Sequence, residues 1–134
     1  MEAKAVGAIG AGLLVYLGVG LGDTGEDIDW LVRKLPVLRV FDDEEGRMNR
    51  SVRDIGGGIL VISQFTLFGT LKKGNRPSYN HAAPPAEAIP LYELFLSRLE
   101  VELAQPVSRG IFGAMMDVDY VNDGPVTLIL DTKE

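Results

Sequence analysis

The chain has no cysteine and a single histidine, His81, among 134 residues. Without thiols there can be no disulfide, thiolate zinc site, iron–sulfur cluster or cysteine nucleophile. One imidazole cannot build a multi-histidine metal centre. Positive charge is scarce too: 13 Lys and Arg against 19 Asp and Glu leave a net charge of −6. That balance argues against a general nucleic-acid coat, which depends on neutralising many phosphates, but not against a grip on the end of a nucleic acid. A convincing membrane span is also missing. The uncharged stretch between Lys4 and Asp23 contains six glycines and only reaches the lower length limit for a spanning helix. Glu2 and Lys4 beside it do not make the positive flank of a secretory signal. A short apolar run bounded by glycines reads as a buried strand.

What is present suits an ordinary globular domain: 46% hydrophobic, 24% charged and 7% aromatic residues. The length corresponds to about one domain, so residues 1–134 are expected to form a single one with its own core. Residues 12–19 read as a core strand. Thr24 with Asp27 has capping-box spacing, and Ile28, Leu31, Val32 and Leu35 recur on one helical face up to Pro36. Residues 37–41 read as a short strand, Asp42 to Glu45 as a charged turn, and residues 59–67 as a strand rich in β-formers. A loop follows to Pro85, then a long helix with Leu91, Tyr92, Phe95, Leu96, Leu99 and Leu103 on one face. Residues 114–121 and 126–131 read as closing strands around the turn Asn122-Asp123-Gly124-Pro125. The expected fold class is mixed α/β, a mostly antiparallel or mixed, barrel-like sheet with two helices.

Side-chain chemistry is thin. His81 lies near Ser78, and a triad with Asp117 or Asp119 can be drawn, but no nucleophile-elbow sequence accompanies it; an ordinary loop histidine is the plainer reading. Asp117 and Asp119 would share one face of a strand and could do acid–base work, though a solvated face explains them as well. The Asp42 to Glu45 run lacks the ligand spacing of a calcium loop. Two segments stand out. Ser63-Gln64-Phe65-Thr66-Leu67 ends a core strand in polar groups, where exposed backbone N–H groups could stabilise an oxyanion. Asn122-Asp123-Gly124-Pro125 contains a Gly-Pro step able to take a cis bond.

SQFTL at 63–67 together with NDGPVT at 122–127 resembles the paired signature of the D-aminoacyl-tRNA deacylases. GAGLLVYLGV at 10–19, LRVFDDEEGRMN at 38–49, KGNRPSY at 73–79, LYELF at 91–95 and FGAMM at 112–116 fall in the same order and spacing. The resemblance implies a cytoplasmic homodimer that hydrolyses the ester between a D-amino acid and the 3′ end of tRNA. It also implies action on glycine mischarged on tRNA(Ala), sparing of L-aminoacyl-tRNA, and no cofactor or metal.

By the same resemblance, Gly124 and Pro125, with Asn122 opening their motif, form a cis Gly-Pro element that enters the partner subunit's active site. Its carbonyls hold the substrate's ammonium group and leave no space for an L side chain. Main-chain N–H groups near Phe65 and Thr66 would receive the ester carbonyl oxygen while the ribose 2′-OH helps to activate water; Thr66 as a covalent nucleophile is the rival. Ser63 and Gln64 would order the pocket, and Ala83 would lie near the substrate amino group. Phe112 and Met116 would lie near the terminal adenine, and Lys72, Lys73 and Arg76 would meet phosphates. One feature departs from the family: a first strand carrying a Gln-Arg-Val segment does not precede Gly7. A start assigned too late is the favoured account. A shortened, catalytically weak member that only binds aminoacyl-tRNA ends is the alternative.

Overall fold

The computed structural model of the chain describes residues 5–123 and 126–133. Its main sheet contains β1 (Gly12–Leu17), β4 (Gly58–Ser63) and β5 (Ser108–Arg109), in the order β1-β4-β5 and parallel throughout. Parallel strands are covered on both faces and therefore read as near-continuous apolar runs, which is the character of GLLVYL and GILVIS. β4 is central, with Ile59 and Val61 almost fully buried. The register sets Gly12 against Gly58 and Leu17 against Ser63. A side chain at Gly12 would run into the carbonyl oxygen of Gly58, so glycine is what permits the strands to start this close. A separate antiparallel ribbon joins β2 (Phe41–Asp42) to β3 (Met48–Arg50).

Helix α1 (Gly25–Lys34) starts in the expected capping box. The Thr24 hydroxyl accepts from the Glu26 N–H at 3.3 Å, and Asp27 Oδ2 accepts from the Thr24 N–H at 2.9 Å, satisfying two otherwise unpaired donors. Helix α2 (Pro85–Leu103) buries Tyr92, Phe95, Leu96 and Leu99 against Ile28, Val32 and the sheet. Ala104, in the left-handed conformation at φ 57°, ends it. No helix among the described residues is long and apolar enough to cross a membrane.

The mixed α/β class with two helices is as expected, but the structure corrects four of the expected strands. Residues 37–41 are not one strand. Pro36, whose ring presets a helical φ, carries the chain on into a 3-10 turn (Leu35–Val37), and only Phe41 and Asp42 pair. The strand expected over residues 59–67 stops at Ser63 and gives way to a 3-10 turn (Phe65–Phe68). The closing strands at residues 114–121 and 126–131 do not form among the described residues. Strand preference reflects packing on a neighbouring pleated surface, and Met115, Val121 and Ile129 instead stand 84%, 91% and 94% exposed. Asp117 and Asp119 are exposed as well, so their alternation places them on no sheet face. The turn at Gly124-Pro125, with its cis question, lies outside the described residues.

Thr132 and Lys133 contact the start of α1. Thr132 Oγ1 donates to Asp27 Oδ1 at 2.7 Å, and Lys133 Nζ donates to Asp27 Oδ2 at 3.0 Å. The Thr24 amide, Thr132 and Lys133 together hold the Asp27 carboxyl below its ordinary value of 3.8. A carboxyl lowered on folding contributes fully above its ordinary value, and that contribution is lost as pH falls through the lower, folded value. Asp27→Asn is therefore expected to lower Tm at neutral pH and to flatten its fall as pH drops below about 5. Thermal melts across that range check this, and unchanged acid limbs would refute it.

Candidate active site

In parallel sheets, ligands are held beyond the carboxyl ends of the strands. The expected pocket residues gather at that edge here. β1 leads into Gly18-Val19-Gly20 and β4 into Gln64, whose N–H donates to the Leu17 carbonyl at 2.8 Å. A Cβ on Gly18 would come within 2.9 Å of the Phe68 ring and 3.3 Å of the Gln64 carbonyl oxygen. Glycine thus lets the 3-10 turn lie directly on the end of β1.

On the other side, the segment preceding α2 runs beside the continuation of β1. The Ala83 N–H donates to the Val19 carbonyl at 2.9 Å and the Leu21 N–H to the His81 carbonyl at 3.0 Å. Ala83 is buried with Val19 and Ala88, and Phe112 packs on this cluster. Met116 lies next to Gly110, just past β5, and close to Ile62. Ala83, Phe112, Ser63, Gln64, Phe65 and Thr66 are thereby arranged around the ends of three parallel strands.

The turn itself offers the chemistry. Its first i→i+3 bond runs from the Leu67 N–H to the Gln64 carbonyl at 3.3 Å, so the preceding amides of Phe65 and Thr66 have no acceptor within the turn. Gln64 Nε2 donates to Thr66 Oγ1 at 2.5 Å. A donor bound to that oxygen draws on the lone pair a nucleophile would use, and no base accepts the Thr66 hydroxyl proton among the described residues. The side chains of Ser78, His81, Asp117 and Asp119 make no hydrogen bond with one another there, so no triad assembles. Among the described residues no group of three or more His, Asp or Glu converges as a metal would require.

The remaining expected residues are more peripheral. Lys72, Lys73 and Arg76 are exposed on a loop that is closed by reciprocal Thr70–Ser78 backbone bonds of 2.8 and 2.9 Å. Asn122 is exposed and its amide donates to Thr127 Oγ1 at 3.3 Å. Gly124 and Pro125 are outside the described residues.

Two aromatic contacts at the margin of the site escaped the sequence reading. Tyr92, taken there as part of an apolar face, packs edge-on against Phe112 with centroids 5.5 Å apart. Burial raises its hydroxyl pKa, and that hydroxyl has no hydrogen-bond partner among the described residues. Tyr79 packs against Phe65 in the same manner at 5.0 Å. Its only sequence signal is an aromatic in an otherwise polar loop. The groove of about 350 Å³ between α1 and α2, lined by Asp29, Arg33 and Arg98, lacks such unpaired amides and is occupied by the Asp29–Arg98 ion pair.

Comparison with known proteins agrees in direction. A family model described as D-Tyr-tRNA(Tyr) deacylase matches residues 1–131. The D-aminoacyl-tRNA deacylase of Opitutus terrae is 53% identical over 132 residues, covering 98% of this chain and 88% of that protein. That of Cytophaga hutchinsonii is 54% identical over 126 residues, covering 94% and 84%. A solved structure described as c-Myc DNA Unwinding Element Binding Protein superposes with a TM-score of 0.81 at 42% identity, covering 90% of this chain and 81% of the other. A probable eukaryotic D-amino acid tRNA deacylase gives a TM-score of 0.56 over 68% of this chain and 53% of the other; at 16% identity that likeness concerns the fold alone.

Proposed function

The chain belongs to the D-Tyr-tRNA(Tyr) deacylase family, and from that membership we propose that it removes D-amino acids from the 3′ end of tRNA while sparing L-aminoacyl-tRNA. It is a hydrolase of the aminoacyl-tRNA ester bond. Glycine mischarged on tRNA(Ala) is a second substrate in this proposal, since glycine has no side chain to exclude. The reading of a weak relative that only binds tRNA ends is not favoured.

The mechanism rests on one observation: two amides, Phe65 and Thr66, with no acceptor among the described residues, at the carboxyl edge of the sheet. Fixed donors aimed at a developing oxyanion stabilise the tetrahedral intermediate without reorganising. An aminoacyl ester is already activated, so positioning plus such donors suffices. The ester carbonyl oxygen sits on these two amides. A water molecule, activated by the ribose 2′-OH, attacks the carbonyl carbon, and the ribose oxygen departs. Gln64 anchors the turn through Thr66, and Ser63 ends the strand that carries it. Ala83 borders the ammonium group of the substrate. Phe112, braced by Tyr92, faces the terminal adenine with Met116 beside it. Lys72, Lys73 and Arg76 meet phosphates.

Chiral selection in this proposal comes from Gly124 and Pro125 of a second copy, with Asn122 holding the start of the motif. Backbone carbonyls bind the ammonium group and exclude an L side chain, which discriminates handedness without reading the side chain. Supporting association into a homodimer are the exposed apolar residues Met115, Val121, Leu128 and Ile129 on either side of this motif, since exposed apolar surface can mark an association site; the cytoplasm is the compartment that goes with a tRNA substrate.

Deacylation of matched D-tyrosyl- and L-tyrosyl-tRNA tests the assignment. The D ester is expected to be hydrolysed and the L ester spared. Gly124→Ala should lower kcat/KM for the D ester about 10- to 200-fold, the cost range of one methyl group in a close-fitting site. Equal hydrolysis of both esters would refute chiral selection.

A further inference from the structure

We propose that Phe65 and Tyr79 form a stacking platform for the unpaired nucleotides preceding the terminal adenosine of the substrate, with Lys72, Lys73 and Arg76 paired to their phosphates. This inference rests on the deacylase reading and adds to it a second contact region, outside the pocket for the ester. The rings meet edge to face, with centroids 5.0 Å apart and planes inclined at 73°. That geometry holds aromatic rings in place. Even so, Phe65 stays 57% exposed and Tyr79 37%, so the pair is fixed without being buried. Gly69 makes room for it: a Cβ there would come within 3.2 Å of the Tyr79 ring and 3.1 Å of the Thr66 carbonyl oxygen.

Charge in this stretch of the sequence runs against the rest of the chain. The chain has 19 acidic residues, yet none falls between Asp54 and Glu87. Lys72, Lys73 and Arg76 lie in that window, on the loop closed by Thr70 and Ser78 beside Tyr79. None of the three takes part in an ion pair among the described residues, whereas Arg50, Arg53, Arg98, Arg109 and Lys133 all do. Free cations next to exposed, ordered aromatic rings are the combination that holds single-stranded nucleic acid: bases stack on the rings and phosphates meet the charges. The platform also begins at the catalytic turn. Phe65 carries both an amide of that turn and an exposed ring, so the platform adjoins the ester site proposed above.

The test compares three D-tyrosyl esters, of adenosine, of a cytidylyl-cytidylyl-adenosine trinucleotide and of whole tRNA, for the unaltered chain, Tyr79→Ala and Tyr79→Phe. Tyr79→Ala is expected to raise KM about 5- to 100-fold for the trinucleotide and tRNA esters. Its kcat should stay near that of the unaltered chain, the adenosine ester should be spared, and Tyr79→Phe should restore binding. An equal effect on all three esters, or no effect on any, overturns the platform. So does a change in oligomeric mass on Tyr79→Ala, which would assign this face to a second copy of the chain. Equilibrium binding of uncharged tRNA to the same proteins reports on the platform independently of catalysis. Failure of the unaltered chain to hydrolyse any ester would refute the deacylase reading, and tRNA binding that still weakens in Tyr79→Ala would keep the platform.

Discussion

Phe65→Pro is expected to lower kcat for D-aminoacyl-tRNA by about a hundredfold to a thousandfold, the usual cost of losing one oxyanion donor. Proline removes a single N–H, and at this position the fold tolerates it. Phe65 is the first residue of its 3-10 turn and its amide makes no bond within the turn, the position where proline fits a helical start. Gln64 before it lies outside the helical region, with φ −144° and ψ 84°, and so avoids the backbone that a following proline disfavours. Phe65→Ala supplies the control, because it deletes the ring and keeps the donor. Measured on the small aminoacyl-adenosine ester, Phe65→Ala should remain near the unaltered rate while Phe65→Pro collapses. Thr66→Ala should retain turnover within a few-fold, since its hydroxyl accepts from Gln64 and faces no base. A Thr66→Ala protein as inactive as Phe65→Pro would return the covalent mechanism to contention.

The largest loss of stability is expected from Phe95→Ala. Phe95 is fully buried at the centre of α2, in one cluster with Leu96, Leu99, Val61 and Ile28. Removing a buried phenylalanine costs about 3–5 kcal/mol, because transfer free energy is lost and a partly unrelaxed cavity remains. For a chain of this length that corresponds to a fall in Tm of about 10–18 °C. The exposed Val101 on the same helix gives the contrast, and Val101→Ala should move Tm by no more than about 2 °C. Two melts decide the matter, and similar shifts in both would mean that α2 does not carry the core.

Much of this arrangement could be read from residue pattern, for identifiable reasons. Thr24 with Asp27 announces a helix start because the reciprocal bonds span only three residues, and Ile28 with Val32 marks the buried face because helical periodicity is local. What local signals could not convey was pairing. GLLVYL and GILVIS are apolar runs that would suit any buried strand, and nothing in them specifies that they lie parallel and in register from Gly12 and Gly58. The strand expected through Leu67 failed for a related reason. Phe65, Thr66 and Leu67 favour strands wherever a paired neighbour is present, but the pairing of β1 with β4 ends at Leu17 and Ser63. The same holds for residues 114–121. Within the site, Gln64 and Thr66 were legible as a polar end to a core strand. The Phe65–Tyr79 and Tyr92–Phe112 pairs join distant segments, and no spacing rule reports such contacts.

The order of the main sheet has a consequence in time. β4 is flanked by β1 on one side and β5 on the other, so the edge where Gly18, Gln64 and Gly110 converge cannot exist until Ser108 and Arg109 have been synthesised and docked. Pairings between segments so far apart in the chain form slowly, because a long loop must close before any contact rewards it. A ribosome-bound chain that ends within α2 therefore carries the turn that follows β4 and no working site. Competence to edit tRNA should arrive abruptly with the last quarter of translation, well after the capping box and α1 can form.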